Sequence, residues 1–309
     1  MSEQEVNFRS KGAELAGTLS HPDSGGPFPA LLLLPGSGQT DRNDNVKQFP
    51  INALAEVAAD LLAHGFASLR YDKRGVGQSG GDYWDTCFND RYEDARAALQ
   101  FLTEQSSIQP KKVFVLGHSE GALLATRLAG GGADIAGIIL LAGPAQSGEA
   151  VLKWQGREIT KGLKGPSGWL IRTFHIDVTK SQQKKLDRIK ATKKDWYRQL
   201  FIKVNAKWLR EFMAYDPTAD FSCLKVPVLA ITGSKDIQVD PADLMRMERL
   251  VKAPFESHLI PDMTHLLRVE TGEATIAKYK QEVKRPIAYK VLEIIQLWLG
   301  KQIATGKTS

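Results

Sequence analysis

The chain has 309 residues, 42% hydrophobic and 25% charged, with a net charge of +6. This is ordinary for a globular protein and long enough for one large domain or two average ones. No run of about 18 apolar residues exists, so no membrane-spanning helix is expected.

The polar, acidic start Met1-Ser-Glu-Gln-Glu is unlike a signal peptide, and a cytoplasmic location is the expectation. Cys87 and Cys223 are far apart and lack metal-ligand spacing, so they read as reduced thiols, with no metal site. The charge is uneven. Residues 146–222 carry sixteen Lys and Arg against eight Asp and Glu, or +8, leaving −2 for the remainder. That excess fits a solvated helical surface better than a surface for anionic partners, and it is a poor signal for nucleic acid.

In chain order, Val6–Arg9 and Ala13–Leu19 alternate around Lys11-Gly12, which predicts a hairpin. Phe28–Pro35 is a continuous apolar run, as in a strand covered on both faces. Helical spacing covers Ile51–His64 and Arg91–Gln105, with a strand at Phe66–Asp72 between them. Lys112–Gly117 predicts a strand, Ser119–Leu128 a helix and Ile135–Ala142 a strand. From Gly143 to Ser222 the chain is amphipathic and rich in Lys and Trp (Trp154, Trp169, Trp196, Trp208), with no convincing strand. Alternation then resumes with strand Val226–Thr232, helix Pro241–Val251, strand Phe255–Ile260 and closing helix Ala288–Leu299. The pattern predicts an α/β fold: a mostly parallel open sheet with helices on both faces and a helical insertion. Residues 1–145 and 223–309 would form the core domain and residues 146–222 the insertion.

Gly117-His118-Ser119-Glu120-Gly121 is a G-x-S-x-G pentapeptide, a weak signal alone. Here it sits between a predicted strand and a predicted helix, the setting of a nucleophile elbow. Gly117 and Gly121 would permit the tight turn, and Ser119 would present its hydroxyl above the sheet. A serine needs a base. His118 lies in the elbow but should point away from Ser119, and His21, His64, His175 and His258 lack a suitable place. His265, in Pro261-Asp-Met-Thr-His, follows the carboxyl end of the last strand, the edge where such sites gather. The acid that orients it is Asp236, one turn after strand Val226–Thr232. Asp240 is the rival and Asp262 a distant third, but Asp240 beside Pro241 reads as a helix N-cap. Pro35-Gly36-Ser37-Gly38 offers backbone N–H groups for an oxyanion hole. The expected donors are Glu120 and Ser37, with Gly38 as the alternative to Ser37.

These residues resemble the α/β-hydrolase superfamily over about residues 5–300, and within it lidded bacterial carboxylesterases of a serine-aminopeptidase-like branch. The matching stretches are Pro35–Arg42, Arg70–Ser79, Gly117–Gly121, Asp216-Pro217, Val226–Ala230, Gly233–Val239 and Thr264-His265. Many superfamily members carry His-Gly where this chain has Pro35-Gly36. The resemblance implies hydrolysis of small-molecule esters, commonly short-chain, without metal or organic cofactor. It also implies that the insertion is a helical lid after the sixth core strand. Asp72 and Arg74 fall in a segment that is usually structural, and Asp41 and Arg42 read as a structural ion pair rather than a substrate contact. A thioesterase or peptidase could use the same triad. An aminopeptidase would need an acid such as Glu149, Glu158 or Glu211 to anchor the substrate amine. A small-molecule binding protein on this scaffold is the reading from another class.

Overall fold

Lys11 and Gly12, both at positive φ (41° and 79°), turn the chain between β1 (Ser2–Ser10) and β2 (Ala13–His21), an antiparallel pair. The computed structural model describes residues 2–47, 49–162, 178–199 and 202–305, so Trp169 and His175 lie outside the described residues. β3 (Phe28–Leu34) leads to α1 (Ala53–Ala63) and β4 (Ala67–Tyr71). α2 (Phe88–Thr103), β5 (Ile108–His118), α3 (Glu120–Gly130) and β6 (Gly137–Leu141) follow.

α2 starts three residues before the apolar periodicity does. Asp90 accepts the backbone N–H of Cys87 at 3.0 Å and closes a reciprocal cap there. β5 also begins earlier than its apolar run, because Ile108 pairs with Phe28 at the foot of β3.

The chain then leaves the sheet. It forms α4 (Gly148–Lys161), α5 (Val178–Ala191), a hairpin of β7 (Trp196–Gln199) and β8 (Ile202–Asn205), α6 (Ala206–Ala214) and α7 (Thr218–Cys223). The hairpin corrects the expectation of a strand-free insertion. Its apolar alternation is hidden by Arg198 and Lys203, which face each other in register. Tyr197 and Val204 pair as half-buried neighbours, and Lys203 Nζ lies 4.1 and 4.4 Å from the ring centres of Trp196 and Trp84.

β9 (Val228–Gly233), α8 (Asp243–Leu250) and β10 (Phe255–Ile260) return to the sheet, and a short 3₁₀ turn with α9 (Tyr279–Glu282) precedes α10 (Tyr289–Thr305). The eight strands run in the order β1-β2-β4-β3-β5-β6-β9-β10, parallel from β4 onward. The period of two explains the uninterrupted apolar runs. Leu32, Leu34, Val113, Val115, Ile138 and Leu140 pack on one face with residues of α2, α3 and α8. Leu31, Leu33, Phe114, Leu116, Ile139 and Leu141 pack on the other with α1 and α10.

The ends of the inserted segment meet, since Gly148 N–H donates to the Tyr215 carbonyl at 3.0 Å. Its inner edge is tied down by Asn205, whose Nδ2 donates to the carbonyls of Tyr83 and Thr86 at 2.9 Å each. The same side chain accepts the Trp208 N–H at 2.9 Å and so starts α6. Asn205→Ala should therefore lower stability by about 2 kcal/mol in urea denaturation, and Asn205→Ser, which keeps the cap, by less. An unchanged midpoint for the alanine variant would contradict this role.

Candidate active site

β5 meets α3 in a turn too tight for side chains at either flank. A Cβ on Gly117 would lie 2.0 Å from the Gly121 carbonyl oxygen, and one on Gly121 would lie 2.1 Å from the Leu34 carbonyl oxygen. Between them Ser119 adopts φ 55° and ψ −114°. Such backbone strain persists only where the surroundings enforce it. Here Ser119 N–H donates to Leu141 of the neighbouring strand at 2.9 Å, and its carbonyl accepts Ala122 N–H at 3.0 Å.

Two loops bring the partners. β9 ends at Gly233, where a Cβ would fall 2.0 Å from the Met263 carbonyl oxygen, so the loops carrying Asp236 and His265 run side by side. Asp236 Oδ1 accepts the N–H groups of Gln238 and Val239 at 2.7 and 2.8 Å. Its Oδ2 lies 2.8 Å from His265 Nδ1, and His265 Nε2 lies 3.1 Å from Ser119 Oγ. Both Asp236 and His265 are buried. The three predicted residues are thus in one hydrogen-bonded row, in which imidazole can take the hydroxyl proton while the carboxylate fixes its tautomer.

The rival acids are engaged elsewhere. Asp240 accepts Ala242 N–H at 3.0 Å and pairs with Arg246, while Asp262 pairs with Lys235 at 2.7 Å. Asp240 is not the N-cap of α8, as expected from the proline beside it; the helix begins at Asp243 and Asp240 closes the turn before it.

His118 does not bond Ser119, in keeping with expectation, but it has a place in the site that the motif did not reveal. Its Nδ1 lies 2.6 Å from Asp44 Oδ2 and its Nε2 lies 3.0 Å from the His265 carbonyl oxygen. Both partners are acceptors, the arrangement that suits an imidazolium with both ring nitrogens donating. Burial opposes that charge, but the Asp44 carboxylate and these hydrogen bonds outweigh it and raise the pKa above the ordinary value. Asp44 Oδ1 in turn accepts Gly36 N–H at 2.7 Å, linking the backbone of His265 to the loop after β3. His118 was visible inside the pentapeptide, but nothing in the spacing of Asp44 marks it as the partner.

The His265 loop has a second anchor. Fully buried Arg268 donates to the carbonyls of Leu266 and Ile51 at 2.8 and 2.6 Å and to Glu56 at 2.6 Å.

Pro35–Gly38 follows β3, and the Ser37 N–H donates to no described residue. The N–H of Glu120 is the first of α3 and has no acceptor within its own helix. The Glu120 carboxylate is buried, with Arg91 Nη1 at 2.6 and 2.8 Å and Lys73 Nζ at 3.2 Å. Burial alone would raise its pKa, but these two cations hold it below the usual range. Arg42 does pair structurally, though with Asp72 and Glu5 at 2.8 and 2.6 Å rather than with Asp41. Asp41 instead caps a turn through the N–H groups of Asn43 and Asn45. Arg74 pairs with Asp94. Cys87 and Cys223 are free thiols, and no cluster among the described residues could hold a metal ion. Among the described residues no helix is long and apolar enough to cross a membrane.

Because the His118 pKa is raised on folding, its contribution to stability is full below the unfolded value of about 6.5 and fades as pH rises through the folded value. The gap in urea midpoint between wild type and Asp44→Asn should therefore be widest below about pH 6.5 and narrow as the pH is raised. A gap that widens with pH would contradict the imidazolium assignment.

The family model described as "Serine aminopeptidase, S33" matches residues 50–272. Esterase EstD from Thermotoga maritima is 28% identical over 291 residues, covering 93% of this chain. The chain spans 66% of that esterase's length. Among solved structures, Est1E from Butyrivibrio proteoclasticus with ferulic acid bound superposes with a TM-score of 0.66 at 18% identity, covering 97% of this chain and 99% of that one. A proline iminopeptidase from Mycobacterium smegmatis gives 0.64 at 15% identity, covering 98% and 100%. At these identities the structures speak for the α/β-hydrolase fold alone. With the family match spanning most of the chain, this protein belongs to the S33 serine aminopeptidase family of α/β hydrolases.

Proposed function

We propose that the protein hydrolyses small carboxylic esters, short-chain ones by preference, through two-step acyl transfer. His265 takes the Ser119 proton as Oγ attacks the ester carbonyl, and the backbone N–H groups of Ser37 and Glu120 receive the oxyanion. His265 then protonates the leaving alcohol, and a water activated by the same imidazole releases the acid. Asp236 holds the imidazole in the tautomer with the proton on Nδ1 and stabilises the cation formed in the transition state.

The observation that carries this reading is the row from Asp236 Oδ2 through His265 to Ser119 Oγ, at 2.8 and 3.1 Å, ending on a strained serine. Both distances lie within the reach required of a base and its nucleophile.

Ester rather than peptide cleavage is supported by the state of the acids that could anchor a substrate amine. Glu149 is bound to Lys153 and Lys190, Glu158 to Lys161, and Glu211 accepts the Asn89 N–H at 2.9 Å. The sequence relationship to a protein named as an esterase points the same way. Residues 146–222, inserted between β6 and β9, serve as a lid that selects the substrate while the core performs acylation.

Ser119→Ala should abolish hydrolysis of p-nitrophenyl acetate and butyrate while leaving the thermal melt intact. Asp236→Asn should lower kcat by about 10⁴-fold. Retained turnover in Ser119→Ala would overturn the assignment, and rates rising steadily with acyl length would overturn the short-chain preference.

A further inference from the structure

Lys73 is a buried cation that the acyl-transfer scheme does not use. It sits just after β4, and its Nζ donates both to the Gly36 carbonyl and, at 3.2 Å, to Glu120 Oε1. The Gly36 carbonyl also accepts Thr40 Oγ1 at 2.9 Å. Gly36 C=O and Ser37 N–H belong to one planar trans peptide unit, in which they point in opposite directions. Whatever fixes the carbonyl therefore aims the N–H. The Gly36 N–H on the other side of the residue is held by Asp44 at 2.7 Å, so this stretch of backbone is pinned from both sides. Glu120, the second contact of Lys73, is the residue whose own N–H opens α3 beside Ser119.

We infer that Lys73 is a positioning residue for the oxyanion hole, binding the Gly36–Ser37 peptide and the Glu120 side chain with one ammonium so that both N–H donors are aimed before substrate arrives. This rests on the proposed acyl-transfer function and names a part of its machinery. Positive charge at the carbonyl oxygen of the peptide also polarises it, which strengthens the N–H at its other end. Lys73 thus places a cation, among Glu120, Arg91 and Asp44, behind the peptide whose N–H would receive the negative charge of the transition state. Geometry of this kind acts on the transition state more than on the bound substrate, so its loss should fall on kcat rather than KM.

The charged groups facing Lys73 are Glu120 of α3, Arg91 of α2 and Asp44 of the loop after β3. Burial pushes the ammonium down to about 8, with Glu120 and Asp44 opposing that and Arg91 adding to it. The charge is therefore lost as pH rises through that value.

The test is kcat and KM for p-nitrophenyl acetate between pH 6 and 10 in wild type, Lys73→Met and Thr40→Val. Lys73→Met should lose about 30-fold in kcat with KM within about twofold, less than the full loss of an oxyanion donor. The wild-type kcat should fall along an alkaline limb centred near 8, and that limb should be missing in Lys73→Met. Thr40→Val, which removes the other donor to the same carbonyl, should lose about fivefold in kcat, the scale of one modest hydrogen bond. If Lys73→Met does not fold, Thr40→Val and the wild-type alkaline limb decide, and an unchanged kcat with no limb overturns the inference. Ser119-dependent hydrolysis with kcat intact in both variants, or a loss confined to KM, also overturns it alone. Absence of Ser119-dependent hydrolysis in wild type would instead overturn the functional reading on which it rests.

Discussion

Ser119 sits at φ 55° and ψ −114°, a conformation that costs a residue with a side chain about 1–3 kcal/mol. The rest of the site depends on keeping it there. Gly117 and Gly121 have backbone where a Cβ would stand, so β5, α3 and the end of β3 approach one another more closely than side chains there would allow. The parallel sheet supplies the restraint, because Ser119 N–H is bonded to β6 before the chain turns. That order puts the hydroxyl at the carboxyl edge of the strands, where the loops after β9 and β10 also emerge.

Around that turn lie three buried charged groups, and each has a mechanical role. His118 and Asp44 join the backbone of His265 to Gly36. Arg91 and Lys73 neutralise Glu120 beside the elbow. Arg268, with Glu56, holds the loop that follows His265. Buried ions are expensive to desolvate and add little net stability, whereas breaking one is strongly destabilising. Their worth here is to give the loops one arrangement, which suits the proposed site, whose donors would be aimed in advance. The basic insertion is different in kind. Its ion pairs, such as Lys161 with Glu158, lie at the surface, where they contribute little.

Most of the sheet was legible because both its faces are covered. Leu31–Leu34, Val113–Leu116 and Ile138–Leu141 leave no polar alternation to misread, and glycines or prolines bound the runs. The meeting of Ser119, Asp236 and His265 was legible because each follows a strand at the same edge, and topology there substitutes for distance. The hairpin β7–β8 was not, since Arg198 and Lys203 place charges opposite one another and aromatic rings accommodate part of them. The start of α2 was hidden because it depends on a side-chain cap at Asp90 rather than on apolar spacing. Asp44 and Lys73 were hidden for a third reason. Their partners are a backbone N–H eight positions away and a carbonyl and side chains 37 to 74 positions away, which no local pattern records. Arg42 fell between these cases: its structural role was legible, its partners Glu5 and Asp72 were not.

The family relationship fixes the fold, and the short row from carboxylate to hydroxyl marks Ser119, His265 and Asp236 as the candidates for the proposed chemistry. The proposed mechanism requires Ser119 to become covalently bonded to the acyl group during turnover. The most direct measurement treats the folded protein with a fluorophosphonate and maps the adduct by peptide mass spectrometry. The mechanism predicts one phosphonyl group per chain on the peptide carrying Ser119, and none after His265→Ala. An unmodified Ser119, or an adduct at another residue, would contradict it.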